Sequence, residues 1–304
     1  MKCIAKLVVM MLLVSTYVVT CHASFLNVGW GTRPIGMGGV FTALSDDANA
    51  PVWNPAGIAQ VEGREGTFMY AMPYSSLGID LQSYNYFGYV QKMQKIGSVA
   101  FGWTNLSHQI YKEDQYIFSY ARYLGGVERK MAFGANIKWM QVTYDNSVLV
   151  QTDDPVFSGG NTKSSISIDV GFLMKLKKLA LGLVIKDVNG PDMGLSISEP
   201  IPMEIRAGAV VEGIKTTGGI TIIPGVEFSS RGKDQTFHIG GEIWLANKNI
   251  ALRGGGNNQE IALGASYFWP LNDRFKLGID YSYVSPFNLQ NTGGTHRVST
   301  TAKF

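Results

Sequence analysis

From Glu65 to Phe304 the sequence reads as short alternating segments parted by turns, and helical periodicity is nearly absent. Phe275, Leu277, Ile279, Tyr281 and Tyr283 share one parity, while Arg274, Lys276, Gly278, Asp280 and Ser282 share the other. Ile166, Ile168, Val170, Phe172 and Met174 alternate in the same way with Ser165, Ser167, Asp169 and Gly171, as do Phe133, Ala135, Ile137 and Trp139 with Gly134, Asn136 and Lys138. A period of two belongs to an extended chain whose two faces meet different surroundings. Segments of this kind start near Glu65, Asp80, Lys95, Gln115, Arg129, Lys163, Lys178, Met203, Gly218, Gln235, Asn249, Gln259, Asp273 and Gly294, which gives about fourteen strands.

A soluble β-sandwich alternates too, so the choice rests on other features. Gln91–Gln94, Lys175–Lys177, Ala246–Lys248 and Pro270–Asn272 are tight connections, whereas Asn146–Asn161 and Val188–Pro202 are long. Short periplasmic turns and long outer loops are the pattern of an outer-membrane barrel, and an even strand number leaves both chain ends on one side. Trp103, Trp139, Tyr267, Trp269, Tyr281 and Tyr283 fall near strand ends, as interfacial aromatic girdles do. Only 16% of residues are charged, 12% are aromatic and 36 are glycine, which also favours a membrane barrel. Fourteen strands of about 10 residues in the membrane need roughly 140 residues, and 65–304 supplies these with turns. The expected fold is therefore an all-β transmembrane antiparallel barrel of about fourteen strands, with a small N-terminal helical plug.

The amino terminus reads as a secretory leader over 1–23. Lys2 and Lys6 are its basic start, Leu7–Val19 its apolar centre, and Cys21-His22-Ala23 a small-residue cleavage site. The apolar run is shorter than a membrane helix needs. A lipoprotein-type cut before Cys21 is the alternative, and Thr20 suits it poorly. Both cysteines, Cys3 and Cys21, lie in this leader, so residues 24–304 carry no disulfide framework or thiolate metal site. A net charge of +3, from 26 basic and 23 acidic residues, indicates no nucleic-acid partner.

Residues 24–64 differ from the rest. The run Gly36-Met-Gly-Gly-Val-Phe-Thr-Ala-Leu-Ser-Asp-Asp-Ala-Asn-Ala-Pro-Val-Trp-Asn-Pro-Ala-Gly-Ile-Ala59 is small, glycine-rich and acidic. Val40, Ala43 and Leu44 lie on one face of a short helical turn that Asp46 and Asp47 end. Asn54 is suited to cap a second short helix, with Pro55 in its first position and Ala56 following. Gly36, Gly38 and Gly39 permit tight turns or close approach to a neighbouring wall. The third glycine of a dinucleotide loop is missing, and no βαβ unit surrounds the run. Asp46, Asp47, Asn49 and Asn54 have calcium-ligand chemistry, but their spacing is not that of an EF-hand loop, so capping is the simpler use.

The sequence GMGGVFTALSDDANAPVWNPAGIA resembles the N-terminal signature of the FadL-like outer-membrane proteins, especially the PorV/PorQ-type branch associated with type IX secretion. The resemblance covers Gly29 to Val61. It implies a fourteen-stranded barrel in the outer membrane of a Gram-negative-type cell, with a plug at residues 24–64 whose Asn-Pro-Ala motif is Asn54, Pro55 and Ala56. It also implies a non-enzymatic role in handling hydrophobic ligands or export cargo. The terminal Phe304, with Val298, Thr300 and Ala302 on its face, resembles the signal read by the barrel-assembly machinery.

Three functions stay open from the residues. One is passage of hydrophobic small molecules. A second is service in a type IX-like secretion system without small-molecule transport. The third is hydrolysis inside the barrel. For the last, His108, His238 and His296 are the available bases, and no spacing joins one to a serine. No catalytic residue, metal cluster or cofactor motif stands out. Lys138, Asp169, Glu242, Arg274, Lys276 and Asp280 share inward parity, so they are expected to line the lumen, pairing with one another and with the plug. The inward glycines Gly134, Gly171, Gly182, Gly240, Gly264 and Gly278 would leave room for that plug. Expected partners are therefore outer-membrane lipid, the assembly machinery, and either hydrophobic small molecules or secretion proteins.

Overall fold

The computed structural model describes residues 25 and 28–304, apart from 75, 77–81, 125–130, 146–154, 217–218, 246–247, 273 and 290. The leader assigned to 1–23 lies outside the described residues.

The wall is one antiparallel sheet closed on itself. Its strands are β1 (Arg64–Met72), β2 (Ser83–Met93), β3 (Gly97–Ser107), β4 (Tyr111–Leu124), β5 (Met131–Tyr144), β6 (Thr162–Leu176), β7 (Leu179–Lys186) and β8 (Glu204–Val211). They continue with β9 (Ile214–Lys215), β10 (Thr221–Arg231), β11 (Asp234–Leu245), β12 (Ile250–Asn257), β13 (Glu260–Pro270), β14 (Lys276–Pro286) and β15 (Thr295–Lys303). The two-residue β9 prolongs β8 along β10 beyond a break at Glu212 and Gly213. The barrel therefore has fourteen staves, each beside its sequence neighbour, and β15 closes on β1 from Glu65↔Lys303 to Met72↔His296.

Closure is what lets such a sheet live in lipid, because every ladder group on a shared length of strand is paired. The alternation sets the faces. Ile137, Trp139, Phe133 and Ile166 are outward and exposed, while Asn136, Lys138, Ser167 and Asp169 are inward and buried. The two ends of the wall meet as the even stave count requires: Arg64 N–H donates to Phe304 O at 2.8 Å, and Phe304 N–H returns a bond to Arg64 O at 2.9 Å. Short turns at this end mark it as periplasmic. The opposite, outer end is more mixed than the sequence suggests. Its loops over 145–161 and 187–203 are long, but β3–β4, β10–β11 and β12–β13 connect through three residues or fewer.

Residues 28–63 occupy the lumen. They form α1 (Thr32–Gly36), α2 (Ala50–Trp53) and a 3₁₀ helix over Pro55–Gln60. Almost every side chain from Gly31 to Ala59 is buried. The helical turn expected at Val40–Leu44 is a single turn, closed by Ser45 N–H on Phe41 O at 2.8 Å. Helix does not extend there because Gly38 and Gly39 take φ values of 69° and 83°, and the Glu227 carboxylate of the wall captures the amides of Phe41 and Thr42.

Candidate functional site

The surface that matters most in this molecule is the junction between plug and wall, and glycine makes it possible. A Cβ on Gly134 or Gly171 would enter the space of Pro55, Asn54 or Ala56; on Gly182 it would strike Thr42 and Ala43; on Gly240, Met37. Gly264 lies against Gly36 itself. Gly278 differs from the expectation: it faces the ring of Phe268, a neighbour on the wall, because it lies nearer the periplasmic rim than the plug reaches. The plug glycines answer in kind. Gly38 abuts the backbone of Gly255 and Gly256, and Gly39 abuts the His238 ring. Where both surfaces lack side chains, two backbones approach and exchange polar contacts directly.

Asn54 is the cap the sequence implies, on a 3₁₀ helix. Its side-chain oxygen accepts Ala56 N–H at 3.1 Å, and Pro55 follows in the first helical position. Its amide nitrogen does more, donating to Thr42 O at 2.8 Å within the plug and to Phe172 O of β6 at 3.1 Å. One side chain therefore caps a helix, braces the plug and ties it to the wall.

Charge pairs fix the rest. Arg33 of α1 grips Glu242 of β11 with two bonds, of 3.0 and 2.6 Å, and reaches Asp46 at 2.7 Å and Asp47 at 2.8 Å. Burial works against the guanidinium charge, but Asp46, Glu242 and Asp47 outweigh it and hold Arg33 ionised well above its usual range. These contacts engage Asp46 and Asp47, and Asp47 also accepts Asn49 N–H at 2.8 Å. Glu242 in turn meets Arg253 at 3.0 Å, and Arg253 approaches Asp280 at 3.4 Å. On the next wall sector Glu227 receives Phe41 N–H at 2.9 Å and Thr42 N–H at 2.8 Å, and Arg206 backs it at 2.7 Å. Elsewhere Tyr86 donates to Ala48 O at 2.6 Å, and Lys303 holds Glu65, which accepts Ala48 N–H at 3.2 Å. Buried ions need such partners, since an isolated one costs several kcal/mol of desolvation.

Four of the six lumen charges read from parity lie in this interior. Glu242 and Asp280 belong to the chain just described. Lys138 bridges Asp169 and Asp187, each at 2.6 Å, and Asp169 holds Asn136, which donates to Pro51 O of the plug at 2.9 Å. Arg274 and Lys276 are exposed, a correction to the lumen assignment. β14 begins only at Lys276, so these two stand at the periplasmic rim; parity gives the side a residue faces but not its height. Arg33, Arg206, Glu227 and Arg253 carry no motif in the sequence. The last three sit on inward parity and were open to the same reading, while Arg33 carries no periodic signal.

Above the plug a cavity of about 510 Å³ opens toward the outer end. Its lining includes Tyr84, Arg206, Arg231, His238, Glu260 and Arg297. His238 joins plug to wall here, with Nδ1 at 2.8 Å from Gly38 O and Nε2 at 3.3 Å from Ser229 Oγ. His108 lies in the β3–β4 turn, and His296 faces outward beside Tyr281 and Tyr283. No group of three or more metal-ligating side chains occurs among the described residues.

The profile of the type IX secretion system membrane protein PorP/SprF family matches residues 79–302. The chain belongs to that family. The matched span covers nearly the whole barrel wall of this PorP/SprF protein and leaves out the plug. No curated protein sequence matches the chain. Among solved structures, a Pseudomonas aeruginosa FadL homologue superposes with a TM-score of 0.58 at 12% identity, over 90% of this chain and 98% of that one. The Ralstonia pickettii toluene transporter TbuX gives 0.54 at 13% identity, over 90% and 97%. The P. putida toluene transporter TodX gives 0.55 at 11%, over 91% and 99%. At these identities the likeness is one of fold: this PorP/SprF protein is a FadL-like outer-membrane β-barrel.

Proposed function

We propose that this protein serves type IX secretion as a plugged, non-enzymatic barrel that docks other proteins at the outer membrane and passes no small molecule. The observation that carries this reading is the lumen. Residues 28–63 fill it and are tied to β6, β10 and β11 through Asn54, Thr42 and Arg33. The space left above them sets Arg206, Arg231, Glu260 and Arg297 among apolar side chains such as Val28, Ile35 and Val284. A hydrophobic ligand entering there would strip water from Arg231 and Glu260 without replacing its hydrogen bonds, a cost of several kcal/mol. That argues against the hydrophobic-ligand alternative, which the toluene transporters among the structural neighbours would otherwise suggest.

On this reading the leader is removed near Ala23, the barrel-assembly machinery inserts the chain, and lipid covers the outward apolar face. The PorV/PorQ-type likeness belongs to the plug segment, Gly29 to Val61. Native mass spectrometry of the protein, extracted gently from outer membranes, tests the reading. A stable complex with large secretion components and no small ligand is expected. A retained fatty-acid-sized or aromatic mass that disappears in Asn54→Ala would sink it in favour of transport.

A further inference from the structure

The wall has one sector where neighbouring strands differ sharply in length. β5 and β6 pair as far as Thr143↔Thr162, but β7 meets β6 only from Leu176↔Leu179 to Val170↔Ile185. Thr162 to Asp169 therefore has β5 on one side and no strand on the other. Alternate residues of a strand turn their backbone groups to the same side. Ile168, Ile166, Ser164 and Thr162 turn theirs toward this gap.

The lower part of the gap is sealed. Val188 N–H donates to Ile168 O at 3.0 Å. The Asn189 carboxamide accepts Ile168 N–H at 3.0 Å and donates to Ile166 O at 2.7 Å. A side chain here presents one acceptor and one donor, as a strand residue would. Above Ile166 the seal ends. Among the described residues no group meets the backbone N–H of Ile166 or the N–H and C=O of Ser164. The outward residues change at the same level, from Ile168, Ile166 and Trp139 to Ser164, Thr162, Gln141 and Thr143. An apolar band topped by an aromatic and then polar residues marks the membrane boundary. Among the described residues the edge is thus closed within lipid and open just above it.

Strand edges left open are ordinarily guarded by outward charges or proline. This one has neither: between Thr162 and Asp169 the charged residues are Lys163 and Asp169, both of inward parity. What complements a row of alternating N–H and C=O groups is another extended backbone. We infer that the β6 edge from Ser164 to Ile166 takes up an extended segment of an exported protein by strand addition at the outer rim. The inference rests on the secretion reading above, which supplies the occupant.

Ser164→Pro tests it, because residue 164 turns its N–H away from β5 and the proline removes only the edge donor. A photo-crosslinking amino acid placed at Thr162 in living cells reports the contact. The expected result is an adduct mapping to an extended segment of a type IX-exported protein. It falls about tenfold in Ser164→Pro and persists in Ser164→Ala, as loss of one edge donor and its neighbours implies. The heat-modified mobility of the barrel stays unchanged in both variants. An undiminished adduct in Ser164→Pro, or no adduct while deletion of the chain still stops export, overturns the edge and leaves the secretion role standing. Export that survives deletion of the chain overturns the secretion role itself.

Discussion

Gly171 lies where the plug's Asn54 and Pro55 touch β6, with no room for a methyl group. Gly171→Val should therefore lift the plug or bend the strand, at about 1–3 kcal/mol by the usual cost of overpacking. A lower temperature of heat-modified migration on a gel would record it, and Gly159→Val, in open loop space, should leave that temperature unchanged. Arg33→Ala should be harsher. It takes the cation from Asp47 and leaves Glu242 with Arg253 alone, and removing one member of a buried pair costs about 3–5 kcal/mol. Arg274→Ala, at the exposed rim, should stay within about 0.5 kcal/mol of wild type. Equal losses from the two arginine changes would mean that the Arg33 cluster contributes nothing. These residues also show how far the sequence can be read. Parity alone placed Lys138, Asp169, Glu242 and Asp280 inside, because a strand has only two faces. It misplaced Arg274 and Lys276 because height along the barrel is set by where each turn falls. It was silent on which charge meets which, since Arg33 and Glu242 are 209 residues apart.

At the scale of elements, the strands were legible almost throughout, for lipid on one side and a polar interior on the other write the same alternation into every stave. What escaped was the seal at β6, since an asparagine in a loop carries no sign that it replaces a strand. Asn189→Ala should leave Ile168 N–H and Ile166 O without partners at the membrane edge, about 1–3 kcal/mol for each buried group left unmade. Faster amide exchange at Ile168, with exchange at Ile137 unchanged, would identify the loss as local; equal protection in both proteins would show that the carboxamide seals nothing. The same connection folds back over the outer mouth, where Met193 and Ile201 pack on Met140 and Val142. Asp192 sets its turn. The amides of Gly194 and Glu199 bond its carboxylate and hold it below the usual carboxylate range. A depressed folded pKa gives stability that is present above the unfolded value near 3.8 and lost as pH falls through the folded one. Limited proteolysis of the loop should therefore be flat from pH 7 to about 4 and rise only below that; a rise already at pH 5 would assign the turn to other groups.

For the whole molecule the decisive question is whether the plug stays where it is. The secretion reading needs a firm, closed barrel that presents its outer rim, whereas a conduit needs residues 28–63 to move with each passage. Residues 24–304 contain no cysteine, so a single engineered disulfide can distinguish the two. Ala43 of the plug and Gly208 of β8 suit it: a Cβ at Gly208 would stand 3.6 Å from that of Ala43, within the range that a disulfide spans. The most direct measurement is type IX export in cells whose only copy of the chain carries Ala43→Cys and Gly208→Cys, oxidised and then reduced. The account predicts equal export in the two states. Export that stops on oxidation and returns on reduction would contradict it, and would make the plug a moving gate.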